Sequence, residues 1–156
     1  MEFWVVVTTR ILINLLNYIQ CYINLVLNIY RIMTKKINPN LTAEQKLILF
    51  EEGTERAGSS ELNHEKREGS FHCANCGEKL FDSKTKYESG SGWPSFYESL
   101  PDVFETKTDH HIGYARTEYH CKKCGGHHGH IFDDGPEPTG KRFCNNGICL
   151  VFKPKS

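Results

Sequence analysis

The chain has no net charge. Its 156 residues carry 19 lysines and arginines against 19 aspartates and glutamates. No electrostatic excess draws it to nucleic acid, and no concentrated basic, aromatic run supplies one locally. A secretory signal is also missing: no basic cluster leads the N-terminal apolar stretch, and no small-residue cleavage site closes it. Apolar residues make up only 38%, enough for the modest core of one domain with an appendage. Nor is the cysteine count even. Seven cysteines cannot all pair, which argues for a reducing compartment, the cytoplasm, and for at least one free thiol with a task.

Charge is absent altogether from Ile11 to Tyr30, a stretch long enough to span a bilayer. Asn14, Asn17, Gln20, Asn24 and Asn28 interrupt it at nearly helical spacing, so a helix here carries a polar stripe. Met33-Thr34-Lys35-Lys36 reads as a natural start. Residues 1–32 are therefore expected to be an extension, translated upstream sequence in preference to a membrane anchor, and residues 33–156 the functional domain.

Two short cysteine hooks organise the remainder of the chain: Cys73-Ala74-Asn75-Cys76-Gly77 and Cys121-Lys122-Lys123-Cys124-Gly125. Each comes after a strand-like run, Ser70-Phe71-His72 and Glu118-Tyr119-His120. A Cys-x-x-Cys-Gly turn aims two thiolates and several backbone N–H groups at one spot, and two such turns complete a tetrahedral sulfur site for zinc. Two disulfides fit less well, because a bond inside Cys-x-x-Cys closes a very short loop. The spacing therefore assigns one structural zinc to Cys73, Cys76, Cys121 and Cys124. Cys21, Cys144 and Cys149 are left over.

Thirteen glycines and six prolines indicate a turn-rich, mainly β chain. Thr42 with Gln45 three residues on forms a capping box that predicts a helix over 42–52, with Leu47, Ile48 and Phe50 as its apolar face and Gly53 to end it. Residues 63–69 read as a solvated turn or short helix. Strands are expected at 79–81, 112–120 and 148–152, and a loop at 98–110. In Ser89-Gly90-Ser91-Gly92-Trp93-Pro94-Ser95-Phe96, glycines and proline bend the backbone sharply and fix an indole. A tryptophan in a turn is often only packing, but an aromatic wall in a loop also holds a methyl or thioether group.

Immediately after the second hook stand His127-His128-Gly129-His130-Ile131-Phe132-Asp133-Asp134-Gly135-Pro136, then Lys141-Arg142-Phe143-Cys144-Asn145-Asn146. Four cysteines already fill a zinc site, so these imidazoles are free for other chemistry. Cysteine is nucleophilic as thiolate, and Arg142 or a nearby imidazolium lowers its pKa. A free cysteine is also a common small core residue; the polar neighbours Arg142 and Asn146 favour a site at Cys144.

From about Leu41 to Phe152 these residues, in this order, resemble the B-type peptide methionine-R-sulfoxide reductases. The likeness runs through Gly53-Thr54-Glu55, both hooks, Gly92-Trp93-Pro94-Ser95-Phe96, His127 to Phe132, Asp134-Gly135-Pro136, Pro138-Thr139-Gly140 and Arg142 to Asn146. The resemblance implies a β-tent of two antiparallel sheets with short N-terminal helices. It implies that Cys144 attacks the sulfoxide sulfur and becomes a sulfenic acid. It also implies that His127 and His130 place water and the sulfoxide oxygen and supply the proton, that Asp134 and Arg142 orient that network, that Asn146 hydrogen-bonds near the sulfur, and that Trp93 packs on the ε-methyl. Oxidised proteins or methionine-R-sulfoxide would be the substrate and thioredoxin or another thiol the reductant, for a monomeric enzyme. Many members carry a resolving cysteine where Ser91 stands here. Cys149, five residues beyond Cys144, would face away from it in an extended strand, so direct reduction by an external thiol is expected. The rival is a non-catalytic zinc β-tent module that binds a ligand; Arg142-Phe143-Cys144 with His127 and His130 weigh against it.

Overall fold

The computed structural model describes residues 16–23, 26, 36–109 and 115–156. The chain divides into two units, Met1–Lys35 and Lys36–Ser156. In the first, residues 16–23 are helical, with Leu16, Tyr18 and Tyr22 exposed. No helix among the described residues is long and apolar enough to cross a membrane; most of the apolar stretch from Ile11 to Tyr30 lies outside those residues.

The second unit is mainly β. Its one α-helix among the described residues, α1 (Ala43–Glu51), begins as its sequence dictates. Thr42 Oγ1 accepts from Gln45 N and Gln45 Oε1 accepts from Thr42 N, a reciprocal capping box. Its end differs from expectation: Glu52, not Gly53, takes the left-handed conformation that turns the chain (φ 59°). The buried face also differs. Ile48 and Leu49 are buried while Leu47 is exposed, because α1 presses this face onto Leu41, Ala74 and Cys149.

The rest of this unit forms two antiparallel sheets. β1 (Gly69–Cys73) lies between β2 (Lys79–Asp82) and β9 (Leu150–Pro154) in a three-stranded sheet. The other sheet has six strands in the order β3-β4-β8-β7-β6-β5. They are β3 (Lys86–Tyr87), β4 (Ser95–Phe96), β5 (Phe104–Asp109), β6 (Arg116–Cys121), β7 (His127–Phe132) and β8 (Arg142–Asn145). Phe71, Leu80, Phe81, Phe96 and Tyr119 bury completely in one core cluster drawn from both sheets. Phe81 stacks on Phe96 with ring centres 4.0 Å apart, and Phe71 meets Phe96 edge-on at 4.9 Å, an arrangement the ring quadrupole favours.

Three segments depart from expectation. The predicted loop at 98–110 contains β5, an edge strand of polar residues whose only large apolar side chain is Phe104. The predicted strand at 148–152 starts later, after a 3-10 turn at Gly147–Cys149, so Cys144 and Cys149 are not separated by extended chain. The charged stretch after residue 60 opens with a 3-10 turn, Glu61–His64. Of the strand expected at 112–120, residues 112–114 fall outside the described residues.

Candidate active site and metal centre

Each cysteine hook folds the same way. Gly77 N donates to Cys73 O (2.8 Å) and Gly125 N to Cys121 O (2.6 Å). Both glycines have positive φ, 73° and 68°, a conformation a side chain would penalise. The two turns meet. Cys73 Sγ is 3.7 Å from Cys124 Sγ, and Cys76 Sγ is 3.6 Å from Cys121 Sγ. All four sulfur atoms lie within 4.8 Å of one another. A zinc–sulfur bond of about 2.3 Å gives a tetrahedron with edges of about 3.8 Å, so this donor set fits a tetrahedral ion. It does not fit disulfides, whose sulfurs sit at about 2.05 Å, and all seven cysteines are free thiols. The four cysteines could hold a metal ion.

The second hook feeds directly into β7, and β7 pairs with β8 so that His130 stands opposite Cys144. Between them Gly129 lets the backbones touch: a Cβ there would lie 1.9 Å from Cys144 O. Cys144 opens onto a cleft of about 110 Å³ whose walls include Trp93, Gly129, His130, Phe132 and Asn146. Burial pushes the Cys144 thiol up, opposed by the Ser91 hydroxyl and the Arg142 guanidinium.

Among the residues expected from sequence, Cys144, Trp93, His130 and Asn146 share this cleft. Asn146 is buried and committed to backbone: its amide donates to His128 O (3.1 Å) and its oxygen accepts from Glu55 N (3.0 Å). Arg142 lies two residues before Cys144 on β8. It grips Asp134 with two 2.8 Å hydrogen bonds and covers Phe132 at 4.3 Å. Asp134 itself is largely exposed, and the guanidinium holds its carboxyl below the usual range. His127 is not on the cleft wall. It is buried behind His130, ring centres 5.6 Å apart. Burial above all holds the His127 pKa down at about 3 and lowers that of His130 as well. Both imidazoles are therefore neutral near pH 7, and Arg142 is a cation that acts on Cys144.

Two further residues organise the cleft. Glu55 is buried, and its carboxylate accepts from Gly147 N (2.5 Å) and Ile148 N (3.0 Å) just beyond Cys144. Its carbonyl accepts from Trp93 Nε1 (3.1 Å). One residue thus ties the indole to the turn after β8. Asp109, at the end of β5, pairs with Arg116 (2.5 Å) and with His130 Nε2 (3.0 Å). Sequence reasoning missed both. Glu55 was visible only inside the Gly-Thr-Glu segment, and Asp109 lay in a stretch read as loop.

The family model of the SelR domain matches residues 41–154. The chain belongs to that family. It is 52% identical over 114 residues to the peptide methionine sulfoxide reductase MsrB of Leptospira interrogans, covering 72% of this chain and 87% of that one. The MsrB proteins of Pseudomonas putida (strain W619) and Methanosarcina barkeri are each 49% identical, over 74% and 72% of this chain and 87% and 80% of theirs. The matched span of the SelR domain holds both cysteine hooks, the Trp93 turn and the β7–β8 pair.

Proposed function

We infer that Cys144 is the nucleophile with which this chain, an oxidoreductase of the methionine-R-sulfoxide reductase class, returns methionine sulfoxide to methionine. The observation that carries this reading is the register of β7 and β8, which sets Cys144 against His130 in a cleft walled by Trp93.

The Cys144 sulfur attacks the sulfoxide sulfur, and the sulfoxide oxygen takes up a proton. The sulfur–oxygen bond then passes to cysteine as methionine leaves, so the thiol is oxidised to sulfenic acid and the sulfoxide reduced to thioether. Trp93, held by its hydrogen bond to Glu55 O, supplies the apolar wall for the ε-methyl. His130 lines the cleft beside the sulfur and donates Nε2–H to Asp109, so its Nδ1 is an acceptor that orders a water, and that water passes the proton of the Cys144 thiol to the sulfoxide oxygen. His127 backs His130, and Asn146 fixes the turn behind Cys144. Arg142, steadied by Asp134, favours the thiolate. One thiol then forms a mixed disulfide with the sulfenic acid and releases water. A second thiol frees Cys144 and leaves as the disulfide of the two.

Ser91 occupies the place from which a resolving thiol would act, and Cys149 is buried in the α1 cluster. The reductant is therefore external, thioredoxin or a small thiol, acting on oxidised proteins or free methionine sulfoxide in a reducing compartment. Zinc suits the four-cysteine cluster best, as a structural ion: four thiolates leave no position open for substrate. Residues 33–156 are the reductase domain, and the enzyme acts as a monomer. Steady-state turnover of the R and S epimers, each with thioredoxin and with a small dithiol, tests this function. R-selective reduction is expected, and reduction of neither epimer would favour a ligand-binding module instead.

A further inference from the structure

Behind His130, away from the cleft, strands β6 and β7 and the end of α1 bring together a second set of metal-ligating side chains. Glu118 and His120 alternate onto one face of β6. His127 arrives from β7, where it pairs with His120. One donor atom from each of the three lies within 4.8 Å of the others. His127 Nδ1 is 3.7 Å from Glu118 Oε2, and His120 Nε2 is 3.7 Å from Glu118 Oε1. Glu52, at the end of α1, brings Oε1 to 3.6 Å from His120 Nε2.

The residue that points to a ligand is His127. It is 1% exposed, and neither ring nitrogen has a hydrogen-bond partner among the described residues. A buried imidazole of that kind is a ready σ-donor, all the more because burial keeps it neutral. The charges also suit a cation. Lys107 bonds Glu118 Oε1 (2.7 Å) and Glu52, but it leaves Glu118 Oε2 turned to His127. Two carboxylates face one ammonium here, and burial keeps His127 neutral. The neighbouring trio of Asp109, Glu118 and His130 offers no such opening, since Arg116 and His130 already hold Asp109.

We propose that Glu118, His120 and His127, with Glu52 as a fourth donor, form a second metal site for a borderline divalent cation of the zinc class, distinct from the four-cysteine cluster. Imidazole with carboxylate selects zinc, cobalt or nickel over magnesium or calcium. An ion there takes the His127 lone pair and sets a positive charge directly behind His130, which disfavours a proton arriving on that ring, so occupancy inhibits. That consequence rests on the role given to His130 in the proposed reaction; the binding does not.

The test uses full-length protein with its cysteine cluster already loaded with zinc. Co2+ is added without any thiol, and methionine formed in a single turnover is measured alongside the visible spectrum. The wild type is expected to bind one further Co2+ with d–d bands and no thiolate-to-cobalt charge-transfer band, and to lose at least tenfold in rate as the site fills. His120→Gln should lose both the bands and the inhibition while keeping its cobalt-free rate. Glu52→Gln, far from either hook in sequence, should weaken Co2+ binding about tenfold even if His120→Gln disturbs Cys121. No further Co2+ bound at millimolar concentration, or equal binding in both variants, overturns the site. Binding with full turnover overturns the inhibition.

Discussion

Ser91 Oγ lies 3.9 Å from Cys144 Sγ, and its hydroxyl continues through Ser89 to Ser95 (2.8 and 2.7 Å). A hydroxyl in that place steadies a thiolate but cannot form a disulfide. Ser91→Ala should slow single-turnover reduction several-fold and move the thiolate limb of the pH–rate profile to higher pH. Stopped-flow rates across pH check this; an unchanged profile would mean that the hydroxyl contributes nothing to the sulfur.

Arg142 opposes the rise in the Cys144 pKa that burial causes. Removing a cation disfavours the charged thiolate, so Arg142→Met should push the thiol higher still. The rate at neutral pH falls, by about tenfold for each pKa unit, and activity recovers as pH rises. Iodoacetamide alkylation of Cys144 as a function of pH reads the shift directly.

Glu55 holds two backbone N–H groups beyond Cys144 and, through its carbonyl, the Trp93 indole. Truncation leaves buried donors unpaired at a cost of about 1–3 kcal/mol. Glu55→Ala should therefore unfold at lower urea concentration and show a raised KM, because the turn that carries Asn146 is released. Equal midpoints in urea would remove this residue from the account.

His128 is fully buried against Phe104 and Tyr119, and burial lowers its pKa from 6.5 to about 4. The unfolded chain then binds a proton below pH 6.5 that the folded chain refuses. Stability falls as pH drops from 6.5 toward 4, by roughly 3 kcal/mol in all from this group. His128→Leu should flatten that part of the Tm–pH curve and raise Tm at pH 5 more than at pH 8.

The cysteine hooks, the capping box at Thr42 and Gln45, and the Trp93 turn were legible because each is local: a few adjacent residues state the geometry. Cys144, His130, Trp93 and Asn146 were legible as types in an ordered set. What sequence could not supply was long-range. Glu55 works through groups about ninety residues away, and nothing beside it in the chain signals a buried carboxylate. β5 was read as loop because an edge strand in a charged segment buries too little to show alternation. Glu52 took the left-handed position next to a glycine, which capping preferences alone would not select. His127 was read as a partner of the reacting atoms, whereas β7 seats it behind His130, where burial silences its charge.

Mass analysis of the enzyme after one equivalent of sulfoxide, with no thiol present, tests the nucleophile most directly. With the R epimer, the wild type should release one methionine per chain and gain the mass of one oxygen on the peptide holding Cys144. With the S epimer it should do neither, and Cys144→Ser should do neither with the R epimer. Methionine released by Cys144→Ser, or oxygen found on another residue of the wild type, would contradict the account.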